Sequence, residues 1–578
     1  MNLETLNRYS RIASTLLVAG LTLAPTLAMA VVVKYERKPA SYDKLPEAKR
    51  GGTLVVRIAS NPKVLNPVLS NDANSSAFDP YFFAGLFTED ADTLQPLPYL
   101  AESYEVSADK KSYTFTLNKD AKWTDGTAVT TDDVKFTYDT VMNEKVDAAP
   151  LRSFYEGLKI NVVDKHKFVF TVPEGKFDTL RSLYLFQTIQ KKQFEKDTDF
   201  NKAAGIMAPV GNGPYTLKSF ERDQQVVIER KKDWWGTKLP HFKNRYNADQ
   251  IVMRIVTDDA LAYERFVKGE IDLTSFNAEQ FALKVRGTDK DKIGTKFGEN
   301  NVWATEIQNK APRGYSYIGW NQKNPIFASA RTRRALAQIV DYKQVIDKVF
   351  HGLVFQSTSP FGSLTFNSDP ELRKPGKMLT TNRKAAIALL KEDGWSDTDK
   401  DNVLDKTIDG KKVKFTFDLK FNSNNPLRAK IAQIVKENFK AAGIEVNVRA
   451  MEWNAYLDDV DNRRFDALIL GWTATPYPNP NQIWHSKSSE NQGSNYVSYS
   501  NPKVDELIGK ANLEFDLQKR SLILHEINRL LYEDQPYVFL TEPRSALAGF
   551  NKKISSPSGI WAMAYDVSPP DDIFQIAP

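Results

Sequence analysis

The 578-residue sequence contains no cysteine. That excludes disulfides, a thiol nucleophile and a cysteine to carry a lipid, so the folded cores must hold the chain together unaided. Histidine is scarce as well. His166, His241, His351, His485 and His525 are widely scattered, and no pair has the spacing of metal ligands. No Gly-x-Ser-x-Gly elbow and no phosphate-cradling glycine loop occurs, so nothing nominates a catalytic nucleophile or a cofactor site, and an enzyme is not expected. Long basic runs are missing too: the net charge of +6 is dispersed, which argues against nucleic acid as a partner. After residue 30 no stretch is long and apolar enough to span a bilayer, and no internal repeat or low-complexity tract interrupts the chain.

What is present looks like an exported globular protein of two to four folding units, since a chain this long does not bury itself around one core. Arg8 and Arg11 precede a mostly apolar stretch, Ile12 to Met29, which ends in Ala28-Met29-Ala30. A basic start, a short apolar core (Leu16 to Leu23) and an Ala-x-Ala site describe a secretory signal peptide. Pro25 and the interspersed Ser and Thr disfavour an uncleaved anchor. The mature chain then begins at Val31, free in the periplasm, with a flexible lead-in up to Arg50.

Periodicity and turn residues set out the elements. Leu54 to Ala59 reads as a strand, and Ser103–Val106 with Ser112–Leu117 as a hairpin. Thr130 caps a helix from Thr131 to Met142, with Asp133 at the capping-box position. Phe177 to Lys192 reads as helical, and Pro209 to Pro214 as a domain crossing. Tyr215–Glu221 and Gln225–Lys231 form an antiparallel pair. A β-α-β unit runs from Ile251 to Thr274, its helix stopped by Gly269. Arg331 to Val349 reads as one long helix. Strand Val413–Phe421, helix Leu427–Ala442, strand Ile444–Val448 and a helix over Asn454–Asn462 then alternate as in an α/β sheet with parallel strands. Helix Leu517–Leu531 and strand Tyr537–Leu540 follow.

That alternation leads into Ala467-Leu468-Ile469-Leu470, a run suited to a strand buried on both faces, which breaks at Gly471. Ligands in open parallel sheets sit past the carboxyl ends of strands, so Trp472 is either a pocket wall or a core residue closing the strand. Trp123, Trp234, Trp235, Trp320 and Trp395 read as core, with Trp320 the best of these for a ligand contact. Asp397, Asp399, Asp401 and Asp405 alternate as oxygen ligands do in a calcium loop. Asn402 and Ile408 stand where such a loop has glycine and glutamate, so a solvated acidic turn before the Asp409-Gly410 hairpin accounts for them better.

Several blocks, in order, resemble family 5 solute-binding proteins of ABC transporters, the periplasmic oligopeptide- and dipeptide-binding type. They are Trp123 to Phe136 (WTDGTAVTTDDVKF), Gly211 to Tyr215 (GNGPY), Gly269 to Asp272 (GEID), Arg331 to Asp341 (RTRRALAQIVD), Gly471-Trp472 and Gly493 to Pro502 (GSNYVSYSNP). The likeness covers about residues 51 to 545. It implies an α/β, two-lobed periplasmic binding protein of class II, the large peptide-binder type, with an extra subdomain and a hinged interlobe cleft. The expected division is signal peptide 1–30, lead-in 31–50, lobe I 51–90, extra subdomain 91–205, lobe I again 206–305, lobe II 306–540, and a C-terminal piece of lobe I, 541–578.

The resemblance also points to a site: Asn61, Trp453, Val460, Ile469, Trp472, Thr473, Ala474 and Thr475. In peptide-clamping relatives a carboxylate at the position of Thr475 pairs with the ligand ammonium, arginines at the positions of Val460 and Ile469 meet its carboxylate, and some members have glutamate at the position of Asn61. This sequence keeps the tryptophans and lacks those charges. A buried ammonium without its counter-ion loses about 3–5 kcal/mol, so short peptides with charged ends are expected to bind poorly. The expected role is the substrate-binding component of an importer: a monomer without cofactor or metal, capturing a peptide or peptide-like solute for an inner-membrane ABC permease. A non-peptide polar nutrient (sugar, opine-like or metal-chelate solute) and a receptor module without transport are the alternatives.

Overall fold

A computed structural model describes residues 47–197, 199–206, 208–285, 296–297, 302–556, 565 and 572–576. The expected signal peptide and most of the lead-in lie outside these residues. Strand β1 (Thr53–Ile58) opens lobe I. The chain leaves it for the extra subdomain, built from β2 (Ala101–Val106), β3 (Ser112–Leu117), α1 (Thr131–Met142), β4 (Lys159–Val162) and β5 (Lys167–Thr171). It returns to lobe I as β6 (Tyr215–Glu221), β7 (Gln225–Arg230), β8 (Gln250–Ile255), α2 (Asp259–Val267), β9 (Leu273–Ser275), β10 (Lys296–Phe297) and β11 (Val302–Ile307). Lobe II begins with β12 (Tyr315–Trp320), α3 (Ala330–Ile339) and β13 (Val354–Gln356). It continues with β14 (Thr416–Asn422), α4 (Pro426–Lys440), β15 (Glu445–Met451), α5 (Trp453–Asp461) and β16 (Ala467–Trp472). Helices α6 (Pro502–Leu513) and α7 (Leu517–Asp534) and strand β17 (Tyr537–Pro543) complete it, and β18 (Ala546–Asn551) re-enters lobe I.

Each lobe is organised by one mixed sheet. In lobe I the order is β10-β11-β18-β9-β1-β8-β7-β6, with β1 parallel to both β8 and β9. In lobe II it is β13-β17-β12-β16-β14-β15, with β14 parallel to both β15 and β16. Among the described residues the chain crosses between the sheets at 308–314 and at 544–545. The extra subdomain has its own antiparallel sheet, β2-β3-β5-β4. One continuous apolar cluster, including Leu54, Phe82, Trp123, Phe168 and Ile251, joins that sheet to lobe I, whereas lobe II has a separate core. Burial on this scale ties the extra subdomain to lobe I as one body.

The blocks that carried the family likeness act largely as staples here. Asp133 Oδ2 accepts from Thr130 N at 3.0 Å, which starts α1, and also from Trp123 Nε1 at 3.2 Å; its Oδ1 accepts from Lys191 N at 2.9 Å. At the 209–214 crossing a Cβ on Gly211 would lie 2.2 Å from the Phe82 carbonyl, so only glycine fits. The Asn212 carbonyl between the two glycines accepts from Trp234 Nε1 and Trp235 Nε1 at 3.1 and 2.9 Å.

Several expected elements are different in the structure. The helix expected over Arg331–Val349 ends at Ile339: Val340 is extended, and Asp341 caps a new turn by accepting from Gln344 N at 2.9 Å. An aspartate inside a helical pattern is a start signal. The strand expected over Val413–Phe421 is two, because at buried Phe415 the chain leaves a local hairpin (Asp405–Ile408 with Lys411–Lys414) and joins the main sheet. The Phe177–Lys192 helix is reduced to Thr179–Tyr184 and Lys191–Phe194. Gly471 does not break its strand: β16 runs on through Trp472, with Gly471 opposite Ser316 and Trp472 opposite Tyr315. The glycine admits a close backbone, since a Cβ there would stand 3.0 Å from Tyr315 O. Lobe II's sheet continues to Pro543, so the boundary expected after residue 540 falls inside a strand.

Candidate functional site

The parallel strands of both sheets point their carboxyl ends at the same place. In lobe I the residues just past β1, β8 and β9 include Ser60, Asp258 and Asn277. In lobe II those past β14 and β15 include Asn424 and Trp453. All five line one cavity of about 660 Å³. A crevice of this kind is where open α/β sheets take ligands, and its size is that of a small-molecule pocket. The lobes also touch directly around it. Lys430 Nζ pairs with Glu279 at 2.6 Å, Asn424 Nδ2 donates to Ala59 O at 3.5 Å, and Lys63 Nζ stands 4.0 Å from Asp461.

Of the residues that the sequence nominated, Trp453 lines this cavity, half-buried at the first position of α5. Trp472 ends β16, half-buried, its ring stacked on Tyr496 at 5.3 Å and 10° and its Nε1 donating to Tyr537 Oη at 3.3 Å. Thr473 and Thr475 are exposed on the following loop, with Ala474 half-buried between them. Asn61 is tied to the β6–β7 turn: its Oδ1 accepts from Asp223 N at 2.9 Å and its Nδ2 donates to Asp223 Oδ1 at 2.5 Å. Val460 and Ile469 must be corrected. They are 1 % and 0 % exposed in the core of lobe II and offer a solute no surface, because β16 is paired on both sides and α5 packs down on it. Trp320 is likewise core, stacked on Phe327.

Sequence reasoning missed Arg428, in the first turn of α4. Its Nη1 donates to Asn422 Oδ1 at 2.6 Å, and Asn422 in turn donates to Asn424 at the cavity. A Cβ on Gly471 would lie 3.9 Å from Arg428 Nη2, so the guanidinium rests against the end of β16. Burial pulls its pKa below the usual range, against the opposing pull of Tyr456 and Tyr317, and among the described residues no carboxylate pairs with it. A half-buried cation without a counter-ion favours the arrival of an anion. The signal was an arginine two residues after a Pro-started helix, next to the carboxyl ends of parallel strands. Asp461 is the opposite case: it is 8 % exposed, and burial raises its pKa while Lys63 and Arg463 pull it down.

The acidic turn brings ligand atoms of Asp397, Asp399 and Asp405 within 4.8 Å of one another. Lysines already answer that charge: Lys412 Nζ is 2.9 Å from Asp399 and 3.3 Å from Asp405, and Lys414 pairs with Asp401. His485 acts as a cap, its Nδ1 accepting from Lys487 N at 3.2 Å.

Residues 95–494 match the family model described as bacterial extracellular solute-binding proteins, family 5. The oligopeptide-binding protein AppA of Bacillus subtilis strain 168 is 30% identical over 512 residues, which is 86% of this chain and 88% of that protein. The structure of AppA in complex with a nonapeptide superposes with a TM-score of 0.79 at 27% identity, covering 92% of this chain and all of that one. NikZ from Campylobacter jejuni, solved with Ni(L-His), shares the fold at a TM-score of 0.71 and 22% identity, over 88% of this chain and 95% of its own.

Proposed function

Because this chain belongs to the family 5 bacterial extracellular solute-binding proteins, we propose that it is the periplasmic substrate-binding component of an ABC importer, taking up an oligopeptide or peptide-like solute. One observation carries this reading. The carboxyl ends of parallel strands from two sheets, joined among the described residues by two short crossings, face one another across a cavity of about 660 Å³. A solute in that crevice touches both lobes and so favours the closed arrangement over the open one. The peptide class rests on the likeness to AppA along nearly the whole chain. The closed, loaded form is then what an inner-membrane permease recognises.

In this reading Trp453, which lines the cavity, is joined by Trp472, the Thr473–Thr475 segment and Asn61 as the contact surface for the solute. Aromatic faces suit such a role, since each buries roughly 150–250 Å² without demanding one side-chain identity. Arg428 supplies the cation for an anionic group of the solute, in place of the arginines missing at positions 460 and 469. No carboxylate replaces Thr475 on the same loop, so an α-ammonium has no partner there. Calorimetry of the mature protein with unmodified peptides of two to nine residues tests the proposal. Binding is expected to strengthen with length and to be weakest for dipeptides. Failure of every peptide length to bind overturns the peptide reading.

A further inference from the structure

The loop that leaves Trp472 carries proline at every second position, Pro476, Pro478 and Pro480. Such a stretch has a fixed φ at each proline and lacks their N–H groups, so it cannot hold itself by a backbone ladder. Its carbonyls must be met from outside. Asn367 Nδ2 donates to Pro476 O at 3.1 Å, and Arg520 Nη2 donates to Pro478 O at 2.8 Å. Asn479 Nδ2 donates to Asp178 Oδ2, which belongs to the extra subdomain.

The contact does not stop there. Phe177, beside Asp178, lies 6.2 Å from the Tyr477 ring and 6.4 Å from Phe515, and the Arg520 guanidinium sits 4.3 Å over its face. Phe177 N donates to Asn512 O at 2.6 Å, and Lys110 Nζ stands 3.3 Å from the centre of the Phe515 ring. Arg520 is 2 % exposed, and burial pushes its pKa down to about 10, so it is held by the stack and by carbonyls rather than by water. The extra subdomain shares its core with lobe I, whereas Arg520, Tyr477 and Asn479 belong to lobe II. This seam therefore bridges the two lobes.

We propose that the extra subdomain is a positioning element for the solute-facing loop: Phe177 and Asp178, with Arg520, hold residues 473–480 in shape from across the boundary between the lobes. The proposal rests on the reading that Thr473–Thr475 meet the solute. It gives the extra subdomain a role in retaining the solute without touching it. Phe177, Asp178 and Arg520 do not line the cavity, so the association rate is set elsewhere and the clamp acts on escape.

Stopped-flow tryptophan fluorescence of the full mature chain with a synthetic nonapeptide tests this. In Phe177→Ala and Asp178→Asn the dissociation rate is expected to rise about tenfold or more while association stays within about twofold. Phe177→Tyr, which keeps the stacked ring, should restore slow release. Unchanged dissociation in both variants overturns the proposal. So does a loss of melting temperature accompanied by equal changes in both rates, which would mark a merely structural contact. Hydrogen exchange in the absence of peptide separates this idea from the functional one. The amides of Thr473, Ala474, Thr475, Tyr477 and Asn479 should exchange faster in Phe177→Ala than in the parent, and equal exchange sinks the clamp whatever the solute. A parent protein that ignores every peptide, yet shows this exchange difference, refutes only the peptide reading.

Discussion

Arg428 is half-buried beside β16, and among the described residues no carboxylate pairs with it, so an anion that reaches it is stabilised there. Truncating one partner of a buried charge pair costs about 2–5 kcal/mol. Arg428→Ala should therefore weaken nonapeptide binding on the order of a hundredfold. Amidating the peptide carboxylate should cost the parent a similar factor and the variant almost nothing; titration calorimetry of all four combinations reads this directly. Two buried carboxyls make a prediction about pH. Burial pushes Asp79 up to about 8 and Glu542 up to about 7. Asp79 has Ser70 beside it, while Glu542 accepts from Ser357 Oγ at 2.6 Å and Ser363 N at 2.9 Å. Both pKa values are raised on folding, so the folded chain binds these protons more tightly than the unfolded one. Their contribution to stability is full below the ordinary carboxylate range and is lost as pH rises through about 7 to 8. Urea unfolding at stepped pH should show the parent losing stability between about pH 5 and 8. Asp79→Asn/Glu542→Gln should lose less, and equal slopes would remove both groups from the account.

Elements with a single strong signal were legible in the sequence: α1 behind its capping box, the β2–β3 hairpin, and α4 ending before Gly443 at φ +79°. The misreadings share a cause. Local pattern does not say which neighbour a residue will meet. Asp341 interrupts a helical stripe because its carboxylate finds Gln344 N, and Phe415 divides a run because two different sheets claim its sides. Gly471 looked like a turn and is a close approach. The site was legible to a similar depth: the tryptophans could be named, but the aliphatic fate of positions 460 and 469 and the placement of Arg428 depend on tertiary packing. Another glycine makes the element-scale prediction. A Cβ on Gly314, at the start of β12, would sit 2.3 Å from Trp472 O, and neither backbone can give without parting the two strands. Gly314→Ala should cost about 1–3 kcal/mol, as overpacked sites do, and move Trp472. A melting scan with tryptophan emission should show a lower transition and a shifted baseline, and an unperturbed spectrum would contradict it.

At the scale of the molecule, closure is distributed rather than driven by one ion pair. Lys430 and Glu279 are both substantially exposed, at 44% and 32% of their side chains. Exposed pairs contribute about 0–1 kcal/mol, so Lys430→Ala should change nonapeptide affinity less than about fivefold. Small-angle scattering should still show the radius contracting on addition of peptide; a protein that binds without contracting would contradict closure. Strand β18 gives the fold a further property. In chain order it is the last strand of the lobe I sheet, yet it lies inside that sheet, between β9 and β11. A chain interrupted before residue 546 is left with two raw strand edges, the surface that invites aggregation and proteolysis. Strand β18 is thus a seal: a product broken off ahead of it advertises its own defect, and only a chain that carries it closes the lobe on which capture depends.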